Sequence, residues 1–146
     1  MNHSPIYISR EDYTKLHLLL ATALHTHPNA ARAQLRAELD RAVVINPAAF
    51  PADVVTMEAT VEFEDLGTGE VEEYTITFPE RADIERKRIS ILAPIGTALI
   101  GCRVGDVVEW STPGGVRQLK VRRVKAPLVS AGSAAAGPAI FASATT

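Results

Sequence analysis

A single cysteine, Cys102, is the whole thiol content of this 146-residue chain, and aromatic residues make up only 5% of it. A lone cysteine cannot close an intramolecular disulfide, so a reducing compartment, the cytoplasm, is expected. Charge of neither sign prevails: 15 Lys and Arg stand against 17 Asp and Glu, for a formal net charge of −2. Nucleic-acid binding leans on clustered positive charge, so composition gives it no support. No apolar run approaches the roughly 18 residues of a membrane span. The opening "MNHSPIYISRED" lacks the apolar centre of a secretory signal. The glycines at 96, 101, 105, 114 and 115 fit no phosphate-cradling pattern, and turns account for the last three. What remains is a chain that is 47% hydrophobic, enough for one ordinary domain or two very small ones.

Residues 9–45 have the pattern of two helices. Ser9 caps the first, with Asp12 three places on. Tyr13, Leu16, Leu20 and Leu24 then share one side, with Leu19 and Ala23 beside them. "THPN" interrupts the pattern, and Asn29 is placed to cap a second helix carrying Leu35, Leu39, Ala42 and Val43 at helical spacing. A short loop between two helices predicts an antiparallel hairpin. From Thr56 the period changes to two. Met57, Ala59, Val61 and Phe63 alternate with polar neighbours through Glu64, "DLGTGE" turns the chain, and Tyr74, Ile76 and Phe78 alternate on the return. "PERADIERK" is a polar connection and "RISIL" a short strand. Residues 95–101 suit a short helix ending at Gly101. Gly105–Asp106 leads into the strand "VVEW", Pro113-Gly114-Gly115 turns again, and Val116–Val124 is the last strand. The fold class is α+β: a short antiparallel helical hairpin over residues 1–50, then an antiparallel sheet domain with one short helix over 51–126. Residues 127–146 are small and uncharged, and they are expected to be disordered or loosely attached.

Reactive side chains are few and scattered. His25 and His27 form an H-x-H at the loop between the helices, with no Cys, Asp or Glu after them until Glu38, and a solvated tip is the expected role. His17 is expected at a helix surface or rim. Cys102 follows a helix C-terminus, where the negative end of the dipole disfavours a thiolate, and is expected to be a small half-buried side chain. Glu62, Glu64, Asp65, Glu70, Glu72 and Glu73 gather around the first hairpin. They are carboxylates that could hold a divalent cation, but the wet face of a strand pair needs such residues anyway. Glu38 and Asp40, two apart on a helix, face different ways and cannot act as a pair. Two basic groups, Arg81, Arg86, Lys87 and Arg88, then Arg117, Lys120, Arg122, Arg123 and Lys125, are either ordinary strand faces or a rim for an acidic partner. No nucleophile, base and orienting group assemble from this set, so an enzyme is not expected.

One stretch is distinctive. "APIGTALIGCRVGDVVEWSTPGGVRQLKV", residues 93–121, closely resembles the C-terminal segment of the Gre-type transcription elongation factors. Their pattern runs S-P-[IL]-G-x-A-L-[IL]-G-x-x-V-G-D-x-V…T-P-G-G. Pro94, Gly96, Leu99, Gly101, Gly105, Asp106 and Thr112 to Gly115 fill its places. With "VVTMEATVEFEDLGTGEVEEYTITFPERAD" upstream, residues 6–125 as a whole are most similar to the branch with a shortened coiled coil, the regulators of nucleoside diphosphate kinase.

The resemblance implies an FKBP-like fold for the sheet domain. It implies docking at the rim of the RNA polymerase secondary channel, in competition with Gre factors. The residues it points to are Leu92, Ala93, Pro94, Ile95, Gly96 and Leu99, in a chain acting as a monomer without cofactor or metal. Longer-armed Gre factors hold a magnesium ion with acidic residues at the tip and stimulate transcript cleavage. Here no Asp or Glu lies between Asp12 and Glu38, so cleavage stimulation is not expected. Some Gre factors place an Asp just before the Ser-Pro of the docking loop. This chain has Leu92 and Ala93 there, which makes Leu92, Pro94 and Ile95 a small apolar patch or, alternatively, Leu92 the last core residue of its strand. The FKBP-like label raises a prolyl isomerase or chaperone as an alternative, and the arm raises a cleavage-stimulating factor. Removing residues 127–146 is expected to leave the melting temperature unchanged in a thermal denaturation experiment, whereas a marked drop would mean that the tail packs on the fold.

Overall fold

The structure, a computed structural model, describes residues 5–127. Apart from Pro127, the segment expected to be disordered lies outside the described residues. Strand β1, Tyr7–Ile8, opens the chain and leads directly into helix α1, Arg10–Thr26. The Ser9 side chain accepts the Asp12 amide at 3.2 Å, which closes the first turn. After three intervening residues helix α2 begins, Ala30–Asp40, with the Asn29 side chain accepting the Arg32 amide at 2.8 Å. The contacts between the helices run in reverse order. An Arg32 Nη1 donates to the Ala23 carbonyl near the loop, while the His17 imidazole lies 3.6 Å from Asp40 at the other end.

The second helix is shorter than the periodicity predicts. It stops at Asp40, and Val43–Val44 instead forms strand β2, pairing in parallel with β1. The Val43 amide donates to the Ile6 carbonyl and the Ile45 amide to that of Ile8. A run of three β-branched residues loses side-chain freedom in a helix and fits a strand. The partner strand lies before α1, where no local signal marks it.

Five further strands build the main sheet: β3, Thr60–Asp65; β4, Val71–Thr77; β5, Arg88–Ser90; β6, Val107–Thr112; and β7, Gly115–Lys125. Their order is β5-β4-β3-β7-β6. The β3–β4 and β6–β7 hairpins form as expected and β3 pairs antiparallel with β7. The sheet is not wholly antiparallel, however, because β5 runs parallel to β4. The polar connection folds as two 3₁₀ turns, Pro79–Arg81 and Ile84–Arg86, and carries the chain back before β5 starts. The strand expected from Thr56 also begins later, at Thr60. Glu58 adopts φ 68°, a left-handed backbone that interrupts extended structure. Its carboxylate accepts the Thr77 hydroxyl at 2.6 Å and faces the guanidinium groups of Arg81 and Arg88. Met57 and Ala59 are nevertheless buried, as the alternation requires.

Helix α3, Pro94–Leu99, closes the fold between β5 and β6. A single apolar cluster joins all of it. Leu16, Leu20, Leu35 and Leu39 from the helices share that cluster with Val61, Phe63, Ile76, Leu99 and Val121. Full burial of a leucine contributes about 1.5–3 kcal/mol, so four of them give the helical segment its hold on the sheet.

The seat of α3 depends on Gly96. A β-carbon there would lie far inside van der Waals contact with the Ser90 carbonyl oxygen, and at 3.3 Å from the Ile89 Cγ2. Since the obstructing atom is backbone, it cannot swing aside. Gly96→Ala is expected to destabilise the protein by about 2 kcal/mol, read as a lower urea midpoint, and an unchanged midpoint would show that α3 lifts without cost.

Candidate functional site

The loop from β5 into α3 is held from every side. The Ile91 amide donates to the Thr77 carbonyl, the Leu92 amide to the Ser90 hydroxyl at 3.0 Å, and the Ala93 amide to the Ser90 carbonyl. Thr97 donates its hydroxyl to the Ile91 carbonyl at 2.7 Å. Pro94 occupies the first turn of α3, where a missing N–H costs nothing. Beyond the helix, Gly101 takes φ 83° and donates its amide to the Val55 carbonyl, and Val55 returns the bond to Cys102.

This frame separates the six residues the sequence pointed to. Pro94 is exposed, and Leu92 and Ala93 are half-buried. Ile95 and Leu99 retain 6% and 1% exposure and belong to the core, and Gly96 is buried against Ser90. An apolar patch of Leu92, Pro94 and Ile95 is therefore not formed. Pro94 is presented to solvent, Leu92 packs against the core, and the buried residues position the loop.

The carboxylates and the basic residues, read as separate groups from the sequence, meet in the structure. Glu62 lies 3.3 Å from Arg123 and 3.7 Å from Arg122, Glu64 lies 2.8 Å from Arg122, and Glu73 lies 2.8 Å from Lys125. A register shift between Glu62 and Phe63 leaves Arg122 out of the ladder, free to reach both glutamates. Asp65 is partly desolvated, which opposes its charge. The Gly67 amide and Arg117, 2.6 Å away, outweigh this and hold the carboxyl below its usual range. Arg81 and Arg88 face Glu58, Arg86 faces Asp83, and Lys87 lies over the Tyr74 ring. The basic rim is thus largely neutralised within the chain.

His25 and His27 are exposed at the end of α1. His27 caps the helix through its backbone, and His17 packs beside Tyr13. Among the described residues no group of three or more His, Cys, Asp or Glu side chains is placed to hold a metal ion. No described helix is long and apolar enough to cross a membrane.

A cleft of about 650 Å³ opens beside Pro94, between α2, α3 and β6. Ala31, Gln34 and Glu38 form its α2 wall, and Trp110 stands on the β6 side. The sequence reading missed this site, assigning Trp110 to strand alternation. The signal available was the i, i+3, i+7 spacing of the three α2 residues, which places them on one helix face.

An N-terminal pair of helices on a curled α+β sheet, with a proline-led helix between its edge strands, defines a transcription-elongation-factor type of fold. Residues 50–126 match the family described as transcription elongation factor GreA/GreB, C-terminal, and residues 4–45 match the Rnk N-terminus. The regulator of nucleoside diphosphate kinase of Escherichia coli K12 is 40% identical over 80% of this chain and 85% of its own length. The chain belongs to the GreA/GreB elongation factor family, in its branch of regulators of nucleoside diphosphate kinase. The transcription elongation factor GreA of Rickettsia bellii is 46% identical over 58% of this chain, which spans about half of that relative (53%). Among solved structures, a prokaryotic GreA/GreB factor from Nitrosomonas europaea matches 82% of this chain and 98% of its own, at 40% identity and a TM-score of 0.71.

Cys102 lies beneath this site rather than in it. Burial, with Asp106 and Glu38 nearby, pushes its thiol up to about 12. The side chain is fully buried, more than the half-buried position expected, and its thiol contacts the Ala98 carbonyl at 3.4 Å. At pH 8 the native chain is expected to react with iodoacetamide at least about a hundredfold more slowly than the urea-unfolded chain. Equal rates, measured by mass spectrometry, would place the thiol at the surface.

Proposed function

We propose that the chain is a transcription regulator that docks on RNA polymerase at the rim of the secondary channel and competes there with Gre factors. Residues 51–126, read as an FKBP-like unit, carry the docking loop, and residues 1–50 are a shortened arm. The observation that carries this reading is Pro94. It is the one exposed residue in a loop otherwise locked by backbone bonds, at the head of the Pro94-to-Gly115 motif that carries the resemblance to the family. A rigid apolar projection binds with little ordering cost.

The arm supports binding without transcript-cleavage stimulation. Helix α1 has 17 residues, about 25 Å of reach. Its last turn carries His25 and the loop that follows carries His27, and no carboxylate lies between Asp12 and Glu38 to hold a divalent ion. Occupying the channel rim while withholding that chemistry would alter elongation by competition. An effect on nucleoside diphosphate kinase, the property named in the E. coli relative, would follow through transcription. A prolyl isomerase finds less support, since among the described residues Trp110 is the one aromatic side chain lining the cleft beside α3.

Titration of the labelled full chain with core RNA polymerase is expected to give saturable binding that a Gre factor displaces. Pro94→Arg should weaken it about tenfold, equivalent to ~1.4 kcal/mol, with an unchanged melting temperature. Stalled elongation complexes should show no added transcript cleavage. Absence of binding at low and moderate salt would overturn the docking reading, and stimulated cleavage would overturn the competitive one.

A further inference from the structure

The cleft beside Pro94 has three properties that point to the same ligand. The first is charge. Among the described residues its lining holds Glu38 and Glu109 and no Lys or Arg. Among the described residues neither glutamate has an ion-pair partner, although Gln34 donates to Glu38 at 3.2 Å. The contrast with the sheet face, where Glu62, Glu64, Asp65 and Glu73 are each met by a cation, is sharp.

The second property is an open strand edge. Among the described residues strand β6 ends the sheet, with β7 on one side and no strand on the other. Four successive residues, Val107 to Trp110, line the cleft. Side chains alternate between the faces of a strand, so a cleft touched by four in a row runs along the strand's edge. Unpaired backbone groups on such an edge accept a further extended segment. Val107, 47% exposed, adds an apolar surface there. The third property is a donor without an acceptor: the Trp110 Nε1–H is buried and unbonded among the described residues. A backbone carbonyl brought alongside would satisfy it.

We propose that this cleft receives an extended polypeptide segment of RNA polymerase bearing a Lys or Arg side chain, which pairs along the β6 edge and sets its cation between Glu38 and Glu109. The assignment to polymerase rests on the docking reading above and extends it, because Pro94 lines the same cleft. The chain's own C-terminal residues do not fit the role, since 128–146 contain no Lys or Arg.

Trp110 is the only tryptophan in the chain, so its emission reports on the cleft directly. The experiment has two arms on the full-length protein. In the first, a capped Val-Lys-Val-Lys-Val peptide is titrated against Trp110 fluorescence, with Val-Glu-Val-Glu-Val as control. The lysine peptide is expected to give a saturable shift, the glutamate peptide none, and the double variant Glu38→Lys, Glu109→Lys about a tenfold weaker response. No shift, or an equal shift with both peptides, overturns the cleft's preference for basic segments. In the second arm, core RNA polymerase is titrated with the wild type and with Glu38→Gln, Glu109→Gln, labelled at the N-terminus. The neutral variant is expected to bind about fivefold more weakly and with a shallower salt dependence, with circular dichroism and melting temperature unchanged. Equal affinity removes the cleft from the polymerase interface while leaving docking through Pro94 intact. Failure of the wild type to bind polymerase, with the peptide response retained, overturns the docking reading and its assignment of the segment, and leaves the cleft's chemistry standing.

Discussion

Helix α3 sits against the end of β5 with no room for a β-carbon at position 96. Most of the functional geometry depends on that one contact. Because the Ser90 carbonyl presses on the helix at Gly96 and also accepts the Ala93 amide, the loop between them has little freedom. Ile95 and Leu99 are turned into the core, Pro94 is left outside, and the far side of α3 becomes the wall of a cleft. A wider separation would loosen the loop, which explains physically why glycine stands at this place in the motif.

A second principle of the molecule is the distribution of its charges. Strand β3 supplies carboxylates and β7 supplies guanidinium groups, and the register that pairs the strands also pairs the charges. Individually such exposed pairs contribute about 0–1 kcal/mol. Collectively they leave the broad face of the sheet close to neutral, so it neither attracts nor repels a charged partner over distance. Among the described residues the two glutamates of the cleft have no ion-pair partner. Such charge at the rim of a concave, partly apolar site is a feature of recognition more than of stability.

The helical segment is more than an appendage. Its leucines enter the same cluster as the sheet's valines and phenylalanines, and β2 returns from α2 to pair with β1. This anchoring makes α2 a wall of the cleft and ties the helices to the loop before α3. The solved Nitrosomonas europaea factor, aligned over 82% of this chain, spans the same combination of helices and sheet. The helical segment and the sheet therefore share one core. The residues at its end, among them His25 and His27, add no carboxylate.

Much of this was legible before any coordinates. Alternation named Met57, Ala59, Val61, Phe63, Ile76 and Phe78 as core. Ser9 and Asn29 were read as caps, and the motif from Pro94 to Gly115 pointed to the family and to α3. These signals are local: a cap bonds its own helix, and a two-residue period is a property of neighbours on one strand. What was misread or unseen is non-local. The β1–β2 pair joins segments on either side of two helices, and β5 turns parallel because of how the chain crosses between strands. Glu58 takes a left-handed backbone, and Thr77, Arg81 and Arg88, distant in sequence, converge on its carboxylate. The sequence alone determined most of the elements, most of the core and the family. Tertiary structure decided which charges cancel and where a cleft remains, because those depend on residues such as Glu62 and Arg122, or Glu38 and Trp110, that only folding brings together.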